Sequence, residues 1–111
     1  MDLKLDRSEG TLTCLSLSGK LDVAGEEAIG DNFRQLIDSY NTHFLIDMSN
    51  VSYLASLGIR LLFAGAKTLA AKGKKLIVVN PQPMVEDTLL TSGTAKLVPI
   101  ARDEKEALGL L

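Results

Sequence analysis

Ser56 is the serine whose position in the sequence most favours a chemical role for its hydroxyl group. A short apolar run at residues 44–46 and a polar segment precede it, and a helical pattern of apolar residues starts at Ser56 itself. The first N–H groups of a helix lack backbone partners and carry partial positive charge. A serine there either caps the helix or accepts a phosphate group, whose charge of about −1.5 to −2 suits that location. Both roles stay open at this point.

Two carboxylates, Asp22 and Asp47, each follow a hydrophobic run. They could meet at one rim of a sheet, where paired acids can perform general acid–base chemistry. The simpler interpretation makes Asp22 a helix cap and Asp47 a turn former at the end of a strand, and we favour it.

The remaining reactive side chains predict neither catalysis nor a metal site. His43 is the only histidine and heads an apolar run, which is typical of a structural residue. Cys14 is the only cysteine and lies in a strand-like segment, where cysteine usually behaves as a small apolar residue. Paired Cys or His spacings are absent, as are the glycine-rich signatures of P-loops and dinucleotide sites. We therefore expect a protein that is not an enzyme, with no catalytic residue, no metal and no cofactor.

A second helix, predicted from about Ser56 to Gly73, carries the side chains that could dock a partner. Its broad apolar face is suited to packing on a sheet and comprises Gly58, Leu61, Leu62, Gly65, Ala66 and Leu69. Ser56, Arg60 and Lys67 follow a more polar stripe. Ile59 and Phe63 lie on the flank, where they either join the core or form an exposed apolar patch beside the serine.

The order of elements predicts a mixed α/β sheet. Alternation at residues 3–7 and 11–18 indicates a β-hairpin, and Ile29, Phe33, Leu36, Ile37 and Tyr40 share one face of a first helix. Further strands are expected at residues 43–47, 75–79 and 97–100, with Pro99 confining the last to an edge. Helices are expected at about residues 83–93 and 104–110, the last capped by Asp103. The result is an N-terminal hairpin followed by β/α alternation with about four flanking helices.

Composition narrows the class of protein further. With 111 residues, residues 1–111 are expected to form a single domain. A net charge of −2 argues against a nucleic-acid binder, and no apolar stretch is long enough for direct membrane insertion. A lone cysteine suits a reducing compartment, so we expect a cytoplasmic location.

At these residues the chain resembles the STAS domain family, and within it the bacterial anti-sigma factor antagonists. The resemblance spans nearly the whole sequence and rests on the opening hairpin and four later segments, at residues 19–22, 46–49, 55–59 and 76–80. The family's phosphorylation motif usually reads Asp-Ser-Ser/Thr/Ala-Gly-Leu/Ile. The matching residues here are Ala55, Ser56, Leu57, Gly58 and Ile59, so alanine replaces the usual aspartate and leucine replaces the small residue.

The resemblance implies a STAS-like fold and a switch that is not an enzyme. Such proteins bind a cytoplasmic anti-sigma factor, typically a GHKL-type serine kinase, and so release a sigma factor. Phosphorylation of the serine, here Ser56, ends that binding, and a phosphatase of the PP2C type restores it. The surface expected to bind the partner comprises Ser56, Leu57, Ile59, Arg60 and Phe63. The alternative is a STAS accessory subunit of a lipid or ABC-type transporter, and a weak nucleotide sensor ranks below it.

Overall fold

A five-stranded sheet with helices on both faces organises the chain, as seen in a computed structural model that describes residues 1–111. The elements are β1 (Asp2–Glu9), β2 (Leu12–Leu21), α1 (Val23–Ser39), β3 (His43–Leu54), α2 (Ser56–Ala71), β4 (Leu76–Val79), α3 (Pro83–Thr91), β5 (Ile100–Ala101) and α4 (Glu104–Gly109), with a 3-10 turn at Thr94–Lys96. The strands lie in the order β1-β2-β3-β4-β5. Only the β1–β2 pair is antiparallel. The predicted mixed sheet with an opening hairpin is confirmed.

The main core lies between the sheet and helices α1, α2 and α3. Phe33 of α1 and Phe44 of β3 are its largest fully buried side chains. The buried face of α2 contains the residues that the helical pattern predicted, namely Gly58, Leu61, Leu62, Gly65, Ala66 and Leu69. A second, smaller core on the opposite face joins Cys14, Leu45, Ile77 and Ala101 to Ala107 of α4. The strands β2, β3 and β4 are therefore apolar on both sides, as is usual for the interior of a parallel sheet.

Strand β3 is much longer than the sequence indicated. The prediction ended it at Asp47 and placed a polar loop before the helix, and this was wrong because the strand continues to Leu54. Two register shifts in the β2–β3 pair, between Ser16 and Ser18 and between Gly19 and Lys20, keep the strands paired over their whole length. Such irregularities break the period of two, so the buried Met48, Val51 and Leu54 recur every third residue.

The C-terminal end of the sheet is shorter than expected. The strand predicted at residues 97–100 is wrong for residues 97–99, and only Ile100–Ala101 pairs with β4. The expectation that Pro99 keeps this segment at the edge is confirmed, since β5 is the last strand of the sheet. Pro99 contributes only its carbonyl, which accepts a hydrogen bond of 2.9 Å from the Val78 N–H.

None of the four helices combines the length and the apolarity that a bilayer-spanning segment needs. The N-terminal caps of α1 and α4 are those that the sequence predicted. The Asp22 carboxylate accepts a hydrogen bond of 2.8 Å from the Gly25 N–H, and Asp103 accepts one of 2.8 Å from the Glu106 N–H.

We expect Asp22→Ala to lower the free energy of unfolding by about 1 kcal/mol, because the substitution leaves a first-turn N–H of α1 without its acceptor. Urea denaturation followed by circular dichroism measures the change. Asp31→Ala is the matched control. It removes an exposed carboxylate from the same helix, and the ion pair of this carboxylate with the Arg34 guanidinium is a long one, at 3.7 Å. Equal stability of the two variants would show that the cap contributes nothing.

Candidate functional site

The start of α2 is held tightly against the ends of β2 and β3. The Ala55 N–H donates a hydrogen bond of 2.9 Å to the carbonyl of Leu21, the last residue of β2. A Cβ atom on Gly58 would lie 2.6 Å from Leu21 Cγ and 2.8 Å from both Leu21 O and Leu54 Cδ1. Only glycine permits this approach, so Gly58 fixes where the first turn of α2, and with it Ser56, sits relative to the sheet.

Ser56 is exposed and is the first helical residue of α2. The expected alternative role of capping is wrong for this serine, because the N-cap position is occupied by Ala55 and no side chain caps the helix. The first turn of α2 also carries no acidic residue. In contrast to α1, which Asp22 caps, the N-terminus of α2 therefore keeps unpaired N–H groups and uncompensated partial positive charge beside a free hydroxyl.

The two apolar residues on the flank of α2 divide between core and surface. Phe63 is 40% exposed, whereas Ile59 is half-buried and packs against the main core. Together with Lys67 they line an open groove of about 400 Å³ between α2 and the turn at residues 92–94 that follows α3. The Lys67 ammonium lies 5.8 Å from the centre of the Phe63 ring, within range of a cation–π contact. This flank of α2 is an accessible apolar surface with a cationic rim.

Leu57 and Arg60 extend the site towards α1. The half-buried Leu57 faces a smaller depression that Glu26, Arg34 and Leu61 also line. Arg60 is exposed, lines this depression as well as the Phe63 groove, and forms no ion pair. The structure thus places Arg60 on the ridge of α2, one helical turn beyond Ser56, with Leu57 and Ile59 on opposite sides of it.

The charge around this helix is strongly segregated along the sequence. No Asp or Glu occurs between Asp47 and Glu86, whereas the same segment contains the five cations Arg60, Lys67, Lys72, Lys74 and Lys75. Although the whole chain has a net charge of −2, both charged side chains of α2, Arg60 and Lys67, are positive. A surface of this kind attracts an acidic partner and resists a positive one.

Asp22 and Asp47 do not meet. Asp22 follows Leu21, which pairs with Leu54, while Asp47 pairs with Ser16 and Val79 in the middle of the sheet. Seven residues of strand, or roughly 23 Å, separate the two positions along β3. Asp47 accepts a hydrogen bond of 2.9 Å from the Ser49 N–H, but the prediction that it forms a turn at the end of a strand was wrong, because it lies inside β3.

His43 and Cys14 both have structural surroundings. The Nδ1 atom of His43 accepts a hydrogen bond of 3.0 Å from the Lys75 N–H, and burial together with Lys74 and Lys75 lowers the pKa of the imidazole. The Cys14 thiol is buried, and burial raises its pKa, which disfavours the reactive thiolate. No three His, Cys, Asp or Glu side chains are grouped so that they could hold a metal ion.

Sequence reasoning missed two exposed features close to this surface in the chain or in the fold. Tyr53 is 47% exposed near the end of β3, three residues before Ser56. The turn at residues 92–94 forms the far wall of the Phe63 groove. Tyr53 could be placed only by predicting the full length of β3. Gly93, with φ +77°, indicates where α3 ends, but the sequence does not show that the turn containing it lies beside α2.

A family model described as the STAS domain matches residues 2–107. One relative, named "Putative anti-sigma factor antagonist BtrV", from Bordetella bronchiseptica, is 24% identical over 96% of this chain and 91% of its own. The anti-sigma F factor antagonist of Paenibacillus polymyxa is 25% identical over 97% of this chain and 92% of its own.

The fold is also similar to solved structures of the anti-sigma factor antagonist SpoIIAA. Its unphosphorylated form has a TM-score of 0.79 and 22% identity, covering 96% of this chain and 93% of that one. The structure of the Bacillus protein in its phosphorylated form has a TM-score of 0.72 and 21% identity, covering 97% of both chains.

Proposed function

The chain belongs to the STAS domain family, and we propose that it is an anti-sigma factor antagonist in the cytoplasm, switched by phosphorylation of Ser56. In its unmodified form it binds an anti-sigma factor, a serine kinase of the GHKL type, and so releases a sigma factor. The names of the two relatives support the first part of this proposal. The observation that carries the second is the free, exposed hydroxyl of Ser56 at an uncapped helix start beside the Phe63 groove.

The docking surface that we propose is the outer side of α2, formed by Ser56, Arg60 and Phe63 with the half-buried Leu57 and Ile59 at its edges. Phe63 supplies an aromatic anchor, of the kind that dominates the energetics of many interfaces. The absence of carboxylates from α2 favours a partner whose matching surface is acidic.

Ser56 has the features that a phosphorylated serine needs in this location. The kinase transfers a phosphoryl group from ATP to the Oγ atom of Ser56, which no helix-capping bond engages. The new negative charge lies at the positive end of α2 and four residues before Arg60, a spacing that brings side chains together on a helix. Helix α2 therefore stays folded after modification, and the change is confined to what its surface can bind.

Phosphorylation then ends the complex. The interface would have to bury a doubly charged group for which the acidic partner offers no cation, so the cost of desolvation and like-charge repulsion act together. A phosphatase of the PP2C type restores the hydroxyl and with it the binding surface. Neither step requires a catalytic residue, a cofactor or a metal in this chain.

Mass spectrometry on the protein captured from its native host with its partners tests the proposal. We expect one phosphate, on Ser56, in a fraction of the molecules, and a GHKL-type kinase bound only to the unmodified fraction. Absence of phosphate under all growth conditions, together with capture of a transporter ATPase, would overturn it and favour the accessory subunit of a lipid transporter. A kinase or a permease gene beside the coding sequence separates the two functions at little cost.

We expect Phe63→Ser to weaken binding of the kinase about tenfold or more, because it removes the most exposed aromatic anchor of the groove. Isothermal titration calorimetry with the captured kinase measures the loss. Leu108→Ser alters a similarly exposed apolar residue of α4, on the other side of the sheet, and serves as the control. An unchanged affinity for Phe63→Ser, with the variant folded, would remove the groove from the interface.

Ile59 is a poorer probe of the same surface. Since it packs against the main core, a substitution by aspartate is expected to destabilise the domain as well as the complex. Phe63 separates the two effects, because a larger part of its ring is already in water.

A further inference from the structure

A second groove lies at the opposite end of α2 and is lined by lysines. Lys74, Lys75 and Lys96 surround it, and Ala70, Leu76 and Leu97 are among the residues that form its apolar wall. Its volume is about 490 Å³, the largest of the open depressions on the surface. No acidic residue lines it. We refer to it as the lysine groove.

Lysines near a helix C-terminus often serve only to compensate the helix dipole, and one lysine of this region does so. Lys72 does not line the groove, and its ammonium reaches the carbonyls of Ile37 and Asp38 at the end of α1, at 3.1 and 3.2 Å. Within the groove, Lys75 donates a hydrogen bond of 2.8 Å to the Leu110 carbonyl. The ammonium groups of Lys74 and Lys96 have neither an ion pair nor a hydrogen bond.

The backbone carbonyls at the C-terminus of α2 repel an anion less strongly than they would if all four of the last carbonyls were free. The N–H groups of Lys72 and Lys74 donate to the Leu69 carbonyl, and that of Gly73 donates to the Ala70 carbonyl. These bonds occupy two of the four carbonyls that a helix end leaves free. Two lysines whose ammonium groups have no partner therefore line a depression that has an apolar wall and no Asp or Glu among its lining residues.

From this arrangement we propose that the lysine groove binds a small phosphate monoester whose remaining part is compact and apolar. The dianionic phosphate contacts Lys74 and Lys96, and the apolar part lies against Ala70, Leu76 and Leu97. The volume falls in the range of small-molecule sites, which combine an apolar lining with a few polar groups. The part of α2 that lines the groove begins at Ala66, ten residues or roughly 15 Å of helix beyond Ser56, so the groove lies away from the N-terminus of α2.

The only histidine of the chain reports on the same positive charges. Lys74 and Lys75 lower the pKa of His43 together with burial, which is the larger cause. A bound phosphate neutralises part of that positive potential, so the pKa of His43 is expected to rise towards its ordinary value when the groove is filled. A single histidine also gives a single imidazole signal, which makes the change simple to follow.

The test is a titration of the full chain with phenyl phosphate, monitored by amide and imidazole NMR signals. We expect saturable shifts at residues 70–76 and 96–97, a rise in the pKa of His43, and weaker binding as salt is added. The double variant Lys74→Gln/Lys96→Gln should weaken binding about tenfold or more. Lys20→Gln, at the far end of β2, is the matched control and should leave the affinity unchanged.

Two further arms of the experiment identify the source of the phosphate. Inorganic phosphate is expected to bind more weakly than phenyl phosphate, because it gains nothing from the apolar wall. Vesicles of phosphatidic acid and phosphatidylcholine should not bind the protein. The proposal is overturned if phenyl phosphate produces no saturable shift, if the double variant binds as the wild type does, or if only the vesicles bind.

Discussion

Ser56→Asp is expected to weaken binding of the anti-sigma partner about a hundredfold, while Ser56→Ala binds as tightly as the unmodified protein. An aspartate at the first residue of α2 is compatible with the helix, whose N-terminus favours negative charge. The loss therefore arises at the interface, where a buried carboxylate finds no partner. Isothermal titration calorimetry in the absence of ATP, with the captured kinase, compares the three forms.

Thr11→Asp is the control for this experiment. Thr11 is exposed in the β1–β2 turn, and its carbonyl accepts from the His43 N–H at the start of β3, so it lies at the far end of the sheet from Ser56. It adds the same charge without touching the proposed surface. Equal affinities for wild type, Ser56→Ala and Ser56→Asp would exclude the phosphorylation switch, even if the kinase still binds through Phe63.

The parts of the fold that the sequence predicted are those governed by local rules. The buried face of α2 follows from a period of 3.6 residues, and the caps at Asp22 and Asp103 from side chains that bond to backbone three residues on. The parts it did not predict depend on partners distant in the sequence. The extension of β3 to Leu54 requires β2 alongside it, with two register shifts that no local pattern reveals.

The error in β3 also explains the errors at the site. With the strand ending at Asp47, this carboxylate is predicted to form a turn, an approach to Asp22 stays open as the less favoured alternative, and the residues up to Ala55 fall in a loop. The same shortening made Ser56 a candidate cap, whereas the longer strand brings the chain to Ala55 in extended conformation and starts the helix at Ser56 itself. The sequence of α2 alone does not determine the burial of Ile59 and Phe63. Their burial depends on how far the turn after α3 covers this flank of the helix.

Gly58→Ala is expected to lower the free energy of unfolding by about 2 kcal/mol, because the new methyl group would overlap atoms of both Leu21 and Leu54. This outcome is opposite to the usual effect of replacing a helical glycine, which gains up to about 1 kcal/mol from helix propensity. Gly109→Ala is the matched control, since no atom lies within 4 Å of a Cβ placed there. It should leave stability unchanged or raise it slightly in urea denaturation.

The same pair of variants separates the position of Ser56 from its chemistry. To relieve the overlap, the first turn of α2 must move away from Leu21, which displaces the Ser56 hydroxyl although the residue itself is unchanged. At temperatures where Gly58→Ala is still folded, we therefore expect both slower phosphorylation of Ser56 and weaker docking, with Gly109→Ala as wild type in each assay. If the destabilised Gly58→Ala variant still bound the partner fully and were still phosphorylated at the normal rate, recognition would not depend on the close packing of α2 against Leu21 and Leu54. In that case the glycine would serve folding alone, and recognition would lie in the side chains farther along the helix.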